Sequence, residues 1–131
     1  MYKTSLVTSC LLAGSAVVLG ALGAHALKPI LGPELIQSFE TGVRYQFYHA
    51  VALFLLGLYA VQFKTSIRVI YGLFTAGTLL FSGSIYALCM LKSEGHIGLG
   101  GLGILTPIGG VLFIAGWLVW LWQLVKLPKA D

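Results

Sequence analysis

The sequence predicts an all-α integral membrane protein: four transmembrane helices, with a short interfacial helix between the first and the second. Composition, charge placement and segment length carry that expectation. Hydrophobic residues fill 58% of the 131 positions and charged ones only 9%, whereas a soluble domain carries about 25% charged residues. The charges are also confined. Segments 4–27, 45–63, 69–91 and 95–125 contain no Lys, Arg, Asp or Glu, and together they hold 97 residues. About 20 apolar residues in a helix cross a hydrocarbon core of roughly 30 Å. One domain over 1–131 follows, with spans at about 5–27, 45–63, 67–91 and 106–125 and an interfacial helix at about 33–44. A water-soluble globule, a disordered chain and a collagen-like repeat are excluded.

The first span opens after Lys3 and reaches Ala24-His25-Ala26, which has the spelling of a signal-peptidase site. Its apolar run is longer than the 7–15 residues of a signal h-region, and three more spans follow, so it is expected to be retained. Ala16, Gly20 and Ala24 recur every four residues. Small residues at that interval let membrane helices approach closely, which points to a helix contact within the chain ahead of a dimer seam. Lys28-Pro29 ends the span, because proline disfavours a helical residue before it. Pro33 suits the first turn of a new helix.

Over 34–49 the pattern turns amphipathic. Leu35, Phe39, Val43 and Phe47 share one face, with Gln37, Thr41, Arg44 and Tyr48 on another. Glu40 precedes Arg44 by four residues, the favourable order for an ion pair. An interfacial helix is expected here that runs into the second span near Tyr45, with Gly42 as the candidate break and Tyr45, Phe47 and Tyr48 in an aromatic belt. The short link at 64–68 makes the second and third spans antiparallel neighbours. In the third span Gly72 and Ala76, then Gly83 and Ala87, repeat the small-residue spacing. Ser82 and Ser84 can bond their own helix or a neighbour. Thr106-Pro107 reads as an N-cap and first helical residue. Trp117, Trp120 and Trp122 are expected as belt residues near the end of the last span, before Lys126 and Lys129.

Basic residues set the orientation. Both termini inside puts Lys3, Lys64, Arg68, Lys126 and Lys129 in the cytoplasm, against Lys28, Arg44 and Lys92 outside. A multi-pass protein of the bacterial inner membrane is the expected localisation. The positive charges flank apolar segments and form no basic run, so the expected partners are membrane lipids, other membrane proteins or further copies of the chain. No nucleic acid is expected.

The chemistry-bearing motifs are few. Gly98-Leu99-Gly100-Gly101-Leu102-Gly103 spells G-x-G-x-x-G, but a dinucleotide site needs a preceding strand and an acidic residue about 20 residues on. A turn or partly re-entrant loop fits better. Cys10 and Cys89 lie far apart inside apolar stretches, where a thiol acts mainly as a small hydrophobe. His25, His49 and His96 all fall on the outer side. Converging imidazoles could hold a metal or haem or relay protons. The plainer reading is that amphipathic rings tolerate the interface, and no metal or cofactor is expected. A polar cluster of His25, Glu40, Arg44, Tyr48 and His49 is expected at the outer rim. It would serve either as a clamp between the interfacial helix and the bundle or as a site for an anionic headgroup or quinone-like ligand.

Gly20-Ala21-Leu22-Gly23-Ala24-His25-Ala26-Leu27 and Thr41-Gly42-Val43-Arg44-Tyr45-Gln46-Phe47-Tyr48-His49-Ala50 resemble two signatures of the domain of unknown function 423 family. These are small bacterial membrane proteins similar to the animal transmembrane protein 256. Leu80-Phe81-Ser82-Gly83-Ser84-Ile85-Tyr86 and Thr106-Pro107-Ile108-Gly109-Gly110 match two more. The resemblance implies four membrane helices and no assigned activity, so it brings no functional residue with it.

Three function classes remain. A non-catalytic accessory or structural membrane protein fits the size and the lack of a catalytic constellation. The alternatives are a small oligomeric transporter or channel, and a lipid-, quinone- or cofactor-binding protein using the outer histidines. Carriers coupled to protons need an ionisable group within the membrane, and the charge-free stretches hold no carboxylate. Ser82, Ser84 and Tyr86 offer no paired base for nucleophilic catalysis, so enzymatic activity is not expected.

Overall fold

The computed structural model describes residues 1–127; Lys129, expected among the cytoplasmic anchors, lies outside them. The helices are α1 (Tyr2–Ala24), α2 (Lys28–Phe63), α3 (Arg68–Ser93), the single turn α4 (Gly100–Gly103) and α5 (Leu105–Val125). Four helical segments are long and apolar enough to cross a membrane: α1, α2, α3 and the stretch Gly100–Val125. The described residues contain no strand. α1 packs on α2, α2 on α3 and α3 on α5, while α1 and α5 make no comparable contact. Neighbours in sequence are therefore neighbours in space, as short links require.

Residues 33–44 run into the second span without the candidate break at Gly42. From Pro33 the chain runs as one helix to Phe63, and the break falls at Gly32, whose φ of 73° and ψ of 173° are non-helical. That backbone region is open essentially to glycine alone. Gly42, the expected break, stays helical because α3 needs it small. A Cβ there would come within 2.9 Å of the Tyr86 ring. At 36 residues, α2 is longer than the about 20 that a helix needs to cross a hydrocarbon core.

Two apolar clusters fill the interior. The larger joins Leu53, Leu56 and Tyr59 of α2 to Ile70 and Phe74 of α3 and to Phe113 and Trp120 of α5. The second, near the other end, gathers Leu31, Ile36 and Phe39 with Ile85 and Cys89. Trp120, expected in the belt, is a core residue with an edge contact to Tyr59. Trp122 is exposed, with the Lys126 ammonium 3.7 Å from its ring centre.

Close approach occurs at particular small residues. Gly77 faces Phe113, Gly116 faces Phe74 and Gly57 faces Leu6, each with room for no Cβ. On α1, Ala16 is buried and Gly20 opposes Val43, but Ala24 is exposed. On α3 the seam differs from the expected one. Gly72 and Gly83 are exposed, with nothing within 4 Å of an added Cβ, and Ala76 and Ala87 are half-buried. Phe74, Gly77 and Phe81 face α5 instead. A shift of one residue turns a helix by 100°, so spacing alone names the interval without naming the face.

Candidate functional site

The buried stripe of α2 reads Phe39, Gly42, Gln46, His49, Leu53 and Leu56. Two polar side chains thus stand where periodicity calls for apolar ones. An unpaired polar group in hydrocarbon costs several kcal/mol, and both are fully engaged. Gln46 Nε2 donates to the Leu12 carbonyl at 2.9 Å and to Ser15 Oγ at 2.8 Å. Its Oε1 accepts from the Tyr86 hydroxyl at 2.8 Å. One amide therefore ties α1, α2 and α3 together. The Tyr86 ring lies against Phe39, centroids 5.0 Å apart. One turn away, Ser82 Oγ donates to the Gly42 carbonyl at 2.7 Å.

His49 is 4% exposed, and its ring stacks on Phe113 at 3.5 Å with planes 9° apart. Nδ1 lies 2.8 Å from the Tyr45 carbonyl, and the Trp117 indole N–H donates to Nε2 at 3.2 Å. A carbonyl only accepts and an indole N–H only donates. The two partners hold the ring as the neutral Nδ1–H tautomer. Coordinating a metal through Nε2 would require displacing Trp117.

Further joints follow the same pattern. Ser5 donates to the Leu53 carbonyl at 2.6 Å, the Thr8 and Tyr71 hydroxyls meet at 2.9 Å, and those of Ser84 and Thr106 at 2.6 Å. Thr106, expected to cap α5, lies inside its first turn and reaches across to α3. The sequence reading passed over Gln46 and Ser5. The signal for Gln46 was present: an amide inside a charge-free span, four residues after Gly42 and three before His49.

Of the expected outer-rim cluster, Glu40, Arg44 and Tyr48 lie along the α1/α2 face, whereas His49 turns into the bundle. Glu40 and Arg44 line one shallow groove between α1 and α2, and Arg44 and Tyr48 line another. Arg44 donates to Thr41 Oγ1 at 3.2 Å and forms no ion pair with Glu40; the only pair within 4.0 Å among the described residues is His96 with Glu94. An exposed ion pair gains little over hydration, so nothing compels that contact. His25 is an exposed residue ending α1. His49, five residues after Arg44, points into the bundle. No three His, Cys, Asp or Glu residues among those described are placed to hold a metal ion. Both cysteines are free, Cys10 exposed and Cys89 buried. The glycine-rich segment follows α3, not a strand, and winds into α4.

Comparison with known proteins agrees with this architecture. The profile of the family described as "Protein of unknown function (DUF423)" matches residues 19–110. The UPF0382 membrane protein SAB0533 of Staphylococcus aureus is 38% identical, over 89% of this chain and 91% of its own. The UPF0382 membrane protein YwdK of Bacillus subtilis is 36% identical, over 89% and 92%. The UPF0382 membrane protein C1782.12c of Schizosaccharomyces pombe is 41% identical, over 78% and 85%. No solved structure matches the chain. With a profile match over most of its length and relatives that are all membrane proteins of its own size, the chain belongs to the DUF423 family.

Proposed function

We propose that this protein is a non-catalytic structural or accessory component of a membrane. One observation carries the reading: five interior polar side chains bond across to a neighbouring helix. Gln46, Tyr86, Ser82, Ser5 and His49 each bond a neighbouring helix, which commits their donor hydrogens, and the acceptor nitrogen of His49, to the bundle. A site of nucleophilic catalysis needs the opposite, a side chain poised beside a base and open to a reacting atom. The exposed apolar faces of α1 and α5, with Leu11, Val17, Ile114 and Leu118, suit lipid or another membrane protein.

In this reading the protein sits in the bacterial inner membrane with both termini cytoplasmic. Lys3, Lys64, Arg68 and Lys126 mark one end of the helices and Lys28, Arg44 and Lys92 the other, which is the bias that keeps basic residues inside. Purification of the full chain in mild detergent tests the function directly. The expected preparation is colourless above the protein band and carries lipid, a membrane partner or further copies. A stoichiometric absorbing cofactor, or turnover lost on Tyr86→Phe with the fold intact, contradicts it.

A further inference from the structure

On the face of α2 turned away from Gln46 and His49, a groove of about 310 Å³ opens towards α1, lined by Val17, Gly20, Val43, Phe47 and Tyr48 with Arg44 at its end. A second hollow of about 190 Å³ adjoins it through the shared Gly20, Val43 and Arg44, and adds Glu40. Gly20 makes the space: a side chain there would start 3.4 Å from Val43. The height of Arg44 is fixed by the helix. Nineteen residues separate it from Phe63, about 28 Å at 1.5 Å per residue, against a hydrocarbon core of roughly 30 Å. When Phe63 lies at one boundary, the guanidinium stands at the other, level with lipid phosphates. Glu40 is one turn farther out, about 6 Å along the axis.

We infer that this groove holds one phospholipid with a phosphoethanolamine headgroup, its phosphate on Arg44, its ammonium towards Glu40 and an acyl chain along the α1/α2 groove. Charge complementarity selects that occupant. A guanidinium binds phosphate through paired N–H bonds, and Arg44 has only the Thr41 hydroxyl as a partner among the described residues. Glu40 beside it disfavours a purely anionic headgroup and accepts from a primary ammonium. A choline headgroup, with no N–H, leaves the carboxylate without that bond.

Native mass spectrometry of the full chain tests this with phosphatidylethanolamine, phosphatidylglycerol and phosphatidylcholine of identical acyl chains in equimolar mixture. Phosphatidylethanolamine adducts are expected to exceed each of the others about fivefold, the scale of one net hydrogen bond, here from the headgroup ammonium to Glu40. Arg44→Gln should lower the adducts of all three lipids together by removing the phosphate contact, and Glu40→Gln should remove the preference for phosphatidylethanolamine over both of the others. Gly20→Leu should lower all adducts together by filling the groove. Both charge variants are exposed substitutions that leave the fold standing, so they decide the matter if Gly20→Leu does not fold. Equal retention of the three lipids, an unchanged adduct level in Arg44→Gln, or an unchanged preference in Glu40→Gln would overturn the inference.

Discussion

Whether a histidine in a membrane helix is a ligand or a packing ring depends on what its two nitrogens meet. In His49 one meets a carbonyl and the other an indole N–H, while the ring face lies on Phe113. Removing it should be costly. His49→Ala should destabilise the protein by about 3 kcal/mol in a detergent-unfolding titration, the usual scale for deleting a buried ring. His49→Phe, which keeps the stacking and orphans only the Trp117 N–H, should cost about 1 kcal/mol. Similar losses from both would mean that the stacking contributes little. Arg44→Ala should shift the same midpoint by less than about 0.5 kcal/mol, as exposed substitutions do; a large loss would restore it as a clamp. The sequence exposed the residue types here but not their directions. His49 and Arg44 sit five positions apart, which turns them about 140° from one another on a helix. An interval alone does not say which of the two faces the bundle.

At the scale of elements, the four spans were legible because each required only length and the absence of charge. The joint between α1 and α2 was half legible. Pro33 marked the helix start correctly, but the break was assigned to Gly42, since both glycines look alike without their neighbours. Gly42 is small because Tyr86 packs over it, and Gly32 because its φ is 73°. The two therefore respond to substitution for different reasons. Gly32→Ala should cost about 1–3 kcal/mol through backbone strain while leaving the Gln46–Tyr86 contact in place. Gly42→Ala should act through that contact, forcing the Tyr86 ring aside, and quenching or crosslinking between α2 and α3 should report the movement. Unchanged stability in Gly32→Ala would mean that the kink relaxes without strain. The α3–α5 seam was misjudged because small residues occur on more than one face of α3. Only the partner's large side chains, Phe113 and Phe74, show which face is used.

Across the whole molecule, the helices are held together at several depths by single polar contacts, including α1 with α3 and α2 with α5. Ser5 and Leu53 join α1 to α2 towards one end, and Ser84 with Thr106 joins α3 to α5 towards the other. The antiparallel order of consecutive helices carries the topology proposal. A reporter fused after Gln62 should read cytoplasmic and one after Lys92 external, and the reversed pattern would show that the charge bias was misapplied. The central claim is that the polar interior works as a set of joints, with Gln46 binding three helices at once. A double-mutant cycle of Gln46→Leu and Tyr86→Phe, read by detergent unfolding of the full chain, addresses that claim most directly. A coupling of about 0.6–1.7 kcal/mol, the range measured for interhelical bonds in membranes, is the expected result. Additive effects with no coupling would contradict the account, because the amide and the phenol would then not be bonded to each other in the folded protein.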